Sequence, residues 1–83
     1  MVQPPRVRLF IKPYCSWCHH AIHWLDDHGI RYDVFDVISN DTACEEMFRL
    51  SRQELAPVID VDGPVLADFG TDELERFRRQ LKR

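Results

Sequence analysis

Three cysteines are too few to staple a disulfide-rich mini-protein, and their odd number leaves one over. No second C-x-x-C is present to complete a structural zinc site. No apolar run approaches the roughly 18 residues of a membrane helix. Basic excess is also missing: 11 Lys and Arg face 14 Asp and Glu, for a net charge of −3. That balance disfavours a general nucleic-acid binder. The start, Met1-Val2-Gln3-Pro4-Pro5-Arg6, carries no apolar h-region, so no secretory signal is expected. The expected setting is reducing and cytoplasmic, where a C-x-x-C is more often catalytic or metal-binding than structural. There are no repeats, linkers or low-complexity stretches. What remains is one domain over residues 1–83, expected to be monomeric, with 45% hydrophobic residues for a modest core. A chain of this size buries only about 60% of its unfolded surface or slightly more.

The patterning gives the order β-α-β-α-β-β-α. Val7 to Ile11 reads as a buried strand, and Pro13 then precedes a helix from about Cys15 to His28, stopped by Gly29. Its apolar stripe is Trp17, Cys18, Ala21, Ile22, Trp24 and Leu25. Arg31 to Val37 is a second strand, with Tyr32, Val34 and Asp36 on one face. Asn40 or Asp41 caps a second helix to about Ser51, with Ala43, Cys44, Met47, Phe48 and Leu50 inward and a Glu45–Arg49 pair outside. "APVIDV" and "PVLA" form a hairpin at Asp62-Gly63. Thr71 is expected to cap a last helix with Leu74, Phe77 and Leu81 inward. Its basic tail, Arg76 to Arg83, suits a helix C-terminus, or else an acidic partner. Strand, helix, strand at the start implies a parallel pair, and the hairpin makes the sheet mixed.

Where the first strand hands over to the first helix stands "KPYCSWCHH". Such junctions are where α/β folds place chemistry. The string admits a redox pair, a zinc site with histidines, or haem attachment at C-x-x-C-H. Haem attachment belongs to exported chains. His19, His23 and Asp26 share a helical stripe, but it lies opposite the apolar one and reads as a solvated face. For redox chemistry the position matters, because a thiol is inert and the thiolate attacks. At a helix N-terminus Cys15 faces free backbone N–H groups and the positive dipole end, with Lys12 on the same loop. Cys18 lies one turn further in, toward the core. Cys15 would attack a substrate disulfide, and Cys18 or an external thiol would resolve the mixed disulfide. Trp17 lies between the cysteines and is a candidate substrate contact, whereas Trp24 reads as packing. Cys44 reads as a small core residue.

From Val7 to Leu81 the chain resembles a glutaredoxin, of the thioredoxin-fold superfamily. "KPYCSWC" is similar to the family's K-P-Y-C-P-Y-C, and "LAPVIDVDG" to its T-V-P-x-I-F-I-x-G. "HGIRYDVFDV" resembles its second strand and the approach to it. The resemblance implies a four-stranded mixed sheet flanked by three helices. It implies Cys15 as nucleophile, Cys18 as resolving cysteine and a cis bond before Pro57. It also implies glutathione as reductant, bound through Lys12, Tyr14 and the main chain at Ala56 and Pro57, with disulfide-containing proteins as substrates.

Two departures stand out. Ser16 replaces the family's proline. The resemblance carries a further implication here, since some glutaredoxins with a small residue at this position hold a [2Fe–2S] cluster between subunits; no other metal is expected. The family's Gly-Gly is absent, and the chain reads Ala67-Asp68-Phe69-Gly70-Thr71-Asp72. This aligns without gaps to the S-G-F-x-P-D stretch of redoxins that serve ribonucleotide reductase and take electrons from thioredoxin reductase. Asp68 and Phe69 therefore join the candidate substrate contacts.

Overall fold

The computed structural model describes residues 6–81, and of Leu81 only the backbone. The expectations for residues 1–5, for the Leu81 side chain and for Lys82 and Arg83 lie outside that range. The elements are β1 (Val7–Ile11), α1 (Ser16–Asp27), β2 (Asp33–Asp36), α2 (Asp41–Ser51), β3 (Val58–Val61), β4 (Val65–Ala67) and α3 (Thr71–Leu81). The sheet order is β2-β1-β3-β4. β1 runs parallel to β2 and antiparallel to β3, and β3 to β4 is antiparallel, so the sheet is mixed as expected.

Successive strand side chains point to opposite faces, and β1 divides the core in two. Val7, Leu9 and Ile11 meet Cys18, Ala21 and Leu25 of α1 and Leu74 of α3. Phe10 turns the other way, to Ala43 and Met47 of α2 and Val58 of β3. Phe35 stacks on Phe10 with centroids 5.2 Å apart.

Local signals set the element ends. Gly29, at φ +64, closes α1: its N–H reaches Asp26 O at 3.1 Å and Ile30 N–H reaches Leu25 O at 3.0 Å. That is a Schellman pair, which needs a residue free to adopt positive φ. Asn40 caps α2, accepting from Ala43 N–H at 3.1 Å. In the β3–β4 turn both Asp62 (φ 53) and Gly63 (φ 114) have positive φ, as the tight hairpin geometry demands.

Val34 shares a sheet face with Leu9 and is 44% exposed, because β2 is an edge strand. The structure corrects several expectations. Cys44 and Phe48 are exposed, not core. The inward row of α2 is Ala43, Met47 and Leu50, and the next residue along is turned about 100° away from it. Arg49 pairs with Glu46 rather than Glu45. Thr71 does not cap α3. Gly70 holds that place, its carbonyl accepting from Leu74 N–H at 3.0 Å and its N–H donating to Glu73. Of the basic tail, Arg78 and Arg79 pair with Glu75.

Candidate active site

Cys15 is the N-cap residue of α1 in extended conformation, and its Sγ accepts from Cys18 N–H at 3.3 Å. A sulfur in this place takes the role of the usual capping oxygen and receives one of the helix's unpaired donors. Ser16 occupies the first helical position where the family has proline. Cys15 is partly open, whereas Cys18 is fully buried. Both are free thiols.

Burial pushes the Cys18 thiol up to about 12, reinforced by its contact with Cys15, while the Lys12 backbone and ammonium pull weakly the other way. The unfolded chain releases this proton near about 8.5, so above that pH the folded state holds more protons than the unfolded one. Stability must then fall as pH rises toward 12, by up to about 1.4 kcal/mol per pH unit. In urea unfolding at pH 8 and pH 10, Cys18→Ala is expected to show a smaller alkaline loss than the parent chain. Equal losses would remove burial of Cys18 as the cause.

Opposite the pair lies the segment before β3. The Cys15 thiol points at Ala56 O, 3.8 Å away. The Ala56–Pro57 bond is cis, as the resemblance implies, and Pro57 is buried. Pro57 O accepts from Asp68 N–H at 2.9 Å, tying the β4–α3 loop to the same wall. Asp68 sits at φ 52 with an exposed side chain. Beyond it, a concavity is lined by Trp17 and residues 68–73.

The expected contact residues thus divide. Ala56 faces Cys15, and Pro57 and Asp68 continue the same wall through the bond from Asp68 N–H to Pro57 O. Tyr14 (75% exposed) and Trp17 (57% exposed) stand open on the helix side, so Trp17 leaves the apolar stripe to which its spacing assigned it. Lys12 is half-buried on the loop between β1 and Cys15. Phe69 has its side chain in the core at 4% exposure, so it borders the concavity while packing inward. Trp24 packs, stacked on His28 at 3.8 Å. His19 is exposed and its Nε2 lies 2.8 Å from Pro13 O. Among the described residues no three His, Cys, Asp or Glu side chains converge as a metal site.

Gly70, Thr71, Asp72 and Glu73 border the concavity and were not among the expected contacts. The signal was there: a glutamate three positions after a cap is half of a capping box. Placing the cap at Thr71 instead of Gly70 hid it.

The family model for glutaredoxin matches residues 7–66, which includes both cysteines and Pro57. A glutaredoxin-like 8.6 kDa protein encoded in the rubredoxin operon of Clostridium pasteurianum is 29% identical over 71 residues, covering 86% of this chain and 95% of that one. Among solved structures, the thioredoxin-like protein BC3987 superposes with a TM-score of 0.79 at 22% identity, covering 86% of this chain and 97% of that one. The glutaredoxin-like NrdH-redoxin of Escherichia coli does so at 0.74 and 20%, covering 86% and 92%. These structural likenesses establish the thioredoxin-like fold. With more than half its length matched by the family model, the chain belongs to the glutaredoxin family of thiol–disulfide oxidoreductases.

Proposed function

We propose that this chain is a dithiol glutaredoxin-like oxidoreductase that reduces protein or glutathione mixed disulfides through Cys15 and Cys18. The observation that carries the reading is the asymmetry of the pair: one capping, partly open sulfur and one buried thiol pushed up to about 12. The Cys15 thiolate attacks a substrate sulfur, the substrate S–S bond breaks, and the leaving sulfur departs as a thiolate. Burial and Cys15 together hold Cys18 protonated. Once Cys15 is tied up as a mixed disulfide, its contribution falls away and that of burial remains. Cys18 then attacks Cys15 sulfur, the Cys15–substrate S–S bond breaks, and the second substrate sulfur leaves with the proton that Cys18 gives up, leaving a Cys15–Cys18 disulfide. Lys12, Tyr14, Trp17, Ala56, Pro57 and Asp68 are the contacts we assign to the substrate, with Phe69 supporting them from the core.

A second reading concerns the electron donor. Glutathione is the family expectation, but the match to the family ends at Leu66, before the loop that departs from it. There Ala67-Asp68-Phe69-Gly70-Thr71-Asp72 keeps the length, the Phe and the final Asp of the redoxins' S-G-F-x-P-D, and Gly70 N–H is already held by Glu73 at 2.9 Å. This favours a redoxin fed by thioredoxin reductase. A coupled disulfide-reduction assay comparing glutathione plus its reductase with thioredoxin reductase decides between them. Turnover with thioredoxin reductase alone is the expected result for this second reading, and turnover with glutathione alone would overturn it. Turnover with neither would count against the oxidoreductase proposal itself.

For an iron–sulfur cluster the chain offers Cys15 as its one open thiol at the site. The raised Cys18 thiol is the reverse of a ligand thiolate, so the other ligands would have to come from outside the chain.

A further inference from the structure

The concavity beyond Trp17 carries three exposed carboxylate side chains, Asp68, Asp72 and Glu73. It also abuts the N-terminus of α3, whose backbone N–H groups would ordinarily attract an external anion. Here the first donor is taken from within: Gly70 N–H donates to Glu73 Oε1 at 2.9 Å. Bonds from the Gly70 and Glu73 N–H groups hold that carboxyl below the usual carboxylate range. A Cβ built on Gly70 would stand 3.1 Å from Glu73 Oε1 and 3.2 Å from the Trp17 ring, so the two side chains close on Gly70 together. Asp68 N–H is likewise committed, to Pro57 O. The cations nearest in effect are Arg76, which acts on Glu73, and Lys12, which acts on Cys18. Neither lines this end of the groove.

We propose that Glu73 is a specificity-determining residue: its carboxylate fills the α3 N-terminus in place of an external one. Together with Asp68 and Asp72 it makes the Cys15 site select disulfides bearing a cation near the sulfur over those bearing a carboxylate. The exposed Trp17 ring adds to this, since an aromatic face attracts cations. The inference rests on the reading of Cys15 as nucleophile and adds the substrate class. The step is the one already written: Cys15 thiolate bonds to one substrate sulfur, the substrate S–S bond breaks, and the departing thiolate takes a proton from water.

The test uses fully reduced protein and three small symmetric disulfides at low ionic strength: cystamine (cationic), 2-hydroxyethyl disulfide (neutral) and dithiodiglycolate (anionic). Each second-order rate is divided by that of 2-mercaptoethanol with the same disulfide, which removes differences in the leaving thiol. The normalised rates are expected to fall from cation to neutral to anion by about two- to fivefold per step. They should converge in 1 M salt, where screening acts over about 3 Å. Glu73→Gln keeps an oxygen for Gly70 N–H and removes the charge, and it should raise the anion-to-cation ratio about two- to fivefold. Asp68→Asn gives a second reading of the same ratio should the first variant fold poorly. Equal normalised rates for the three disulfides, or an unchanged ratio in both variants, would overturn the proposal. Failure of the parent protein to react with any of the three would instead remove the nucleophile reading beneath it.

Discussion

Cys15→Ser is expected to lower disulfide reduction by about a thousandfold or more, because serine is not ionised at neutral pH and loss of a nucleophile removes the covalent step. The fold should survive. Serine is a preferred N-cap residue, and its oxygen can accept the Cys18 N–H bond that Cys15 Sγ now accepts at 3.3 Å. Cys18→Ser should behave differently. The buried thiol is needed to release a protein substrate from Cys15, whereas a small external thiol can do the same from solution. Glutathione-dependent exchange on small mixed disulfides should therefore persist within a few-fold, while reduction of protein disulfides stalls and a covalent adduct on Cys15 accumulates. Coupled turnover and intact-mass measurement read both effects. Equal and complete loss in the two variants would defeat the division of roles between the cysteines.

Asp60→Ala is expected to cost about 2–3 kcal/mol of stability without touching the chemistry. Asp60 lies in β3, 5% exposed and the one buried charged residue among those described. It accepts from Arg8 Nε at 2.9 Å and, through its other oxygen, from Gly63 N–H at 2.9 Å in the hairpin turn. Removing one partner of a buried pair costs about 3–5 kcal/mol. The Arg8 side chain is 23% exposed and also reaches Glu46 at 3.2 Å, so water and a second carboxylate soften the loss. Asp60→Asn keeps an acceptor for the Gly63 N–H and should cost less than alanine. Urea unfolding measures the difference, and rates per folded molecule should stay unchanged, since Asp60 is on the α2 side of the sheet. A loss below about 0.5 kcal/mol in the alanine variant would show that the pair contributes little.

The order of elements, the parallel start of the sheet and the junction holding Cys15 and Cys18 are all written locally. Period-two and period-3.6 apolar patterns, Asn40, Gly29 and Asp62-Gly63 are short-range instructions, and each acts where the sequence places it. So is the asymmetry of the cysteines: one precedes the first helical turn, and the other falls on the inward stripe. What the chain could not state alone concerns neighbours distant in sequence. Whether Val34 is covered depends on which strand is the edge, and that follows from how β1 pairs with both β2 and β3. Whether Cys44 and Phe48 are core depends on how α2 is rotated on the sheet, which its wide apolar stripe leaves open. The choice of Gly70 over Thr71 as the cap of α3 arises where the β4–α3 loop is tied to Pro57. That choice sends the Glu73 carboxylate back onto Gly70 N–H, beside Trp17 of another helix. Local sequence fixes which groups exist and their helical or strand spacing. Burial and electrostatic surroundings are sums over contacts between segments some 40 residues apart, such as Cys15 and Ala56, and only the packed chain brings those together.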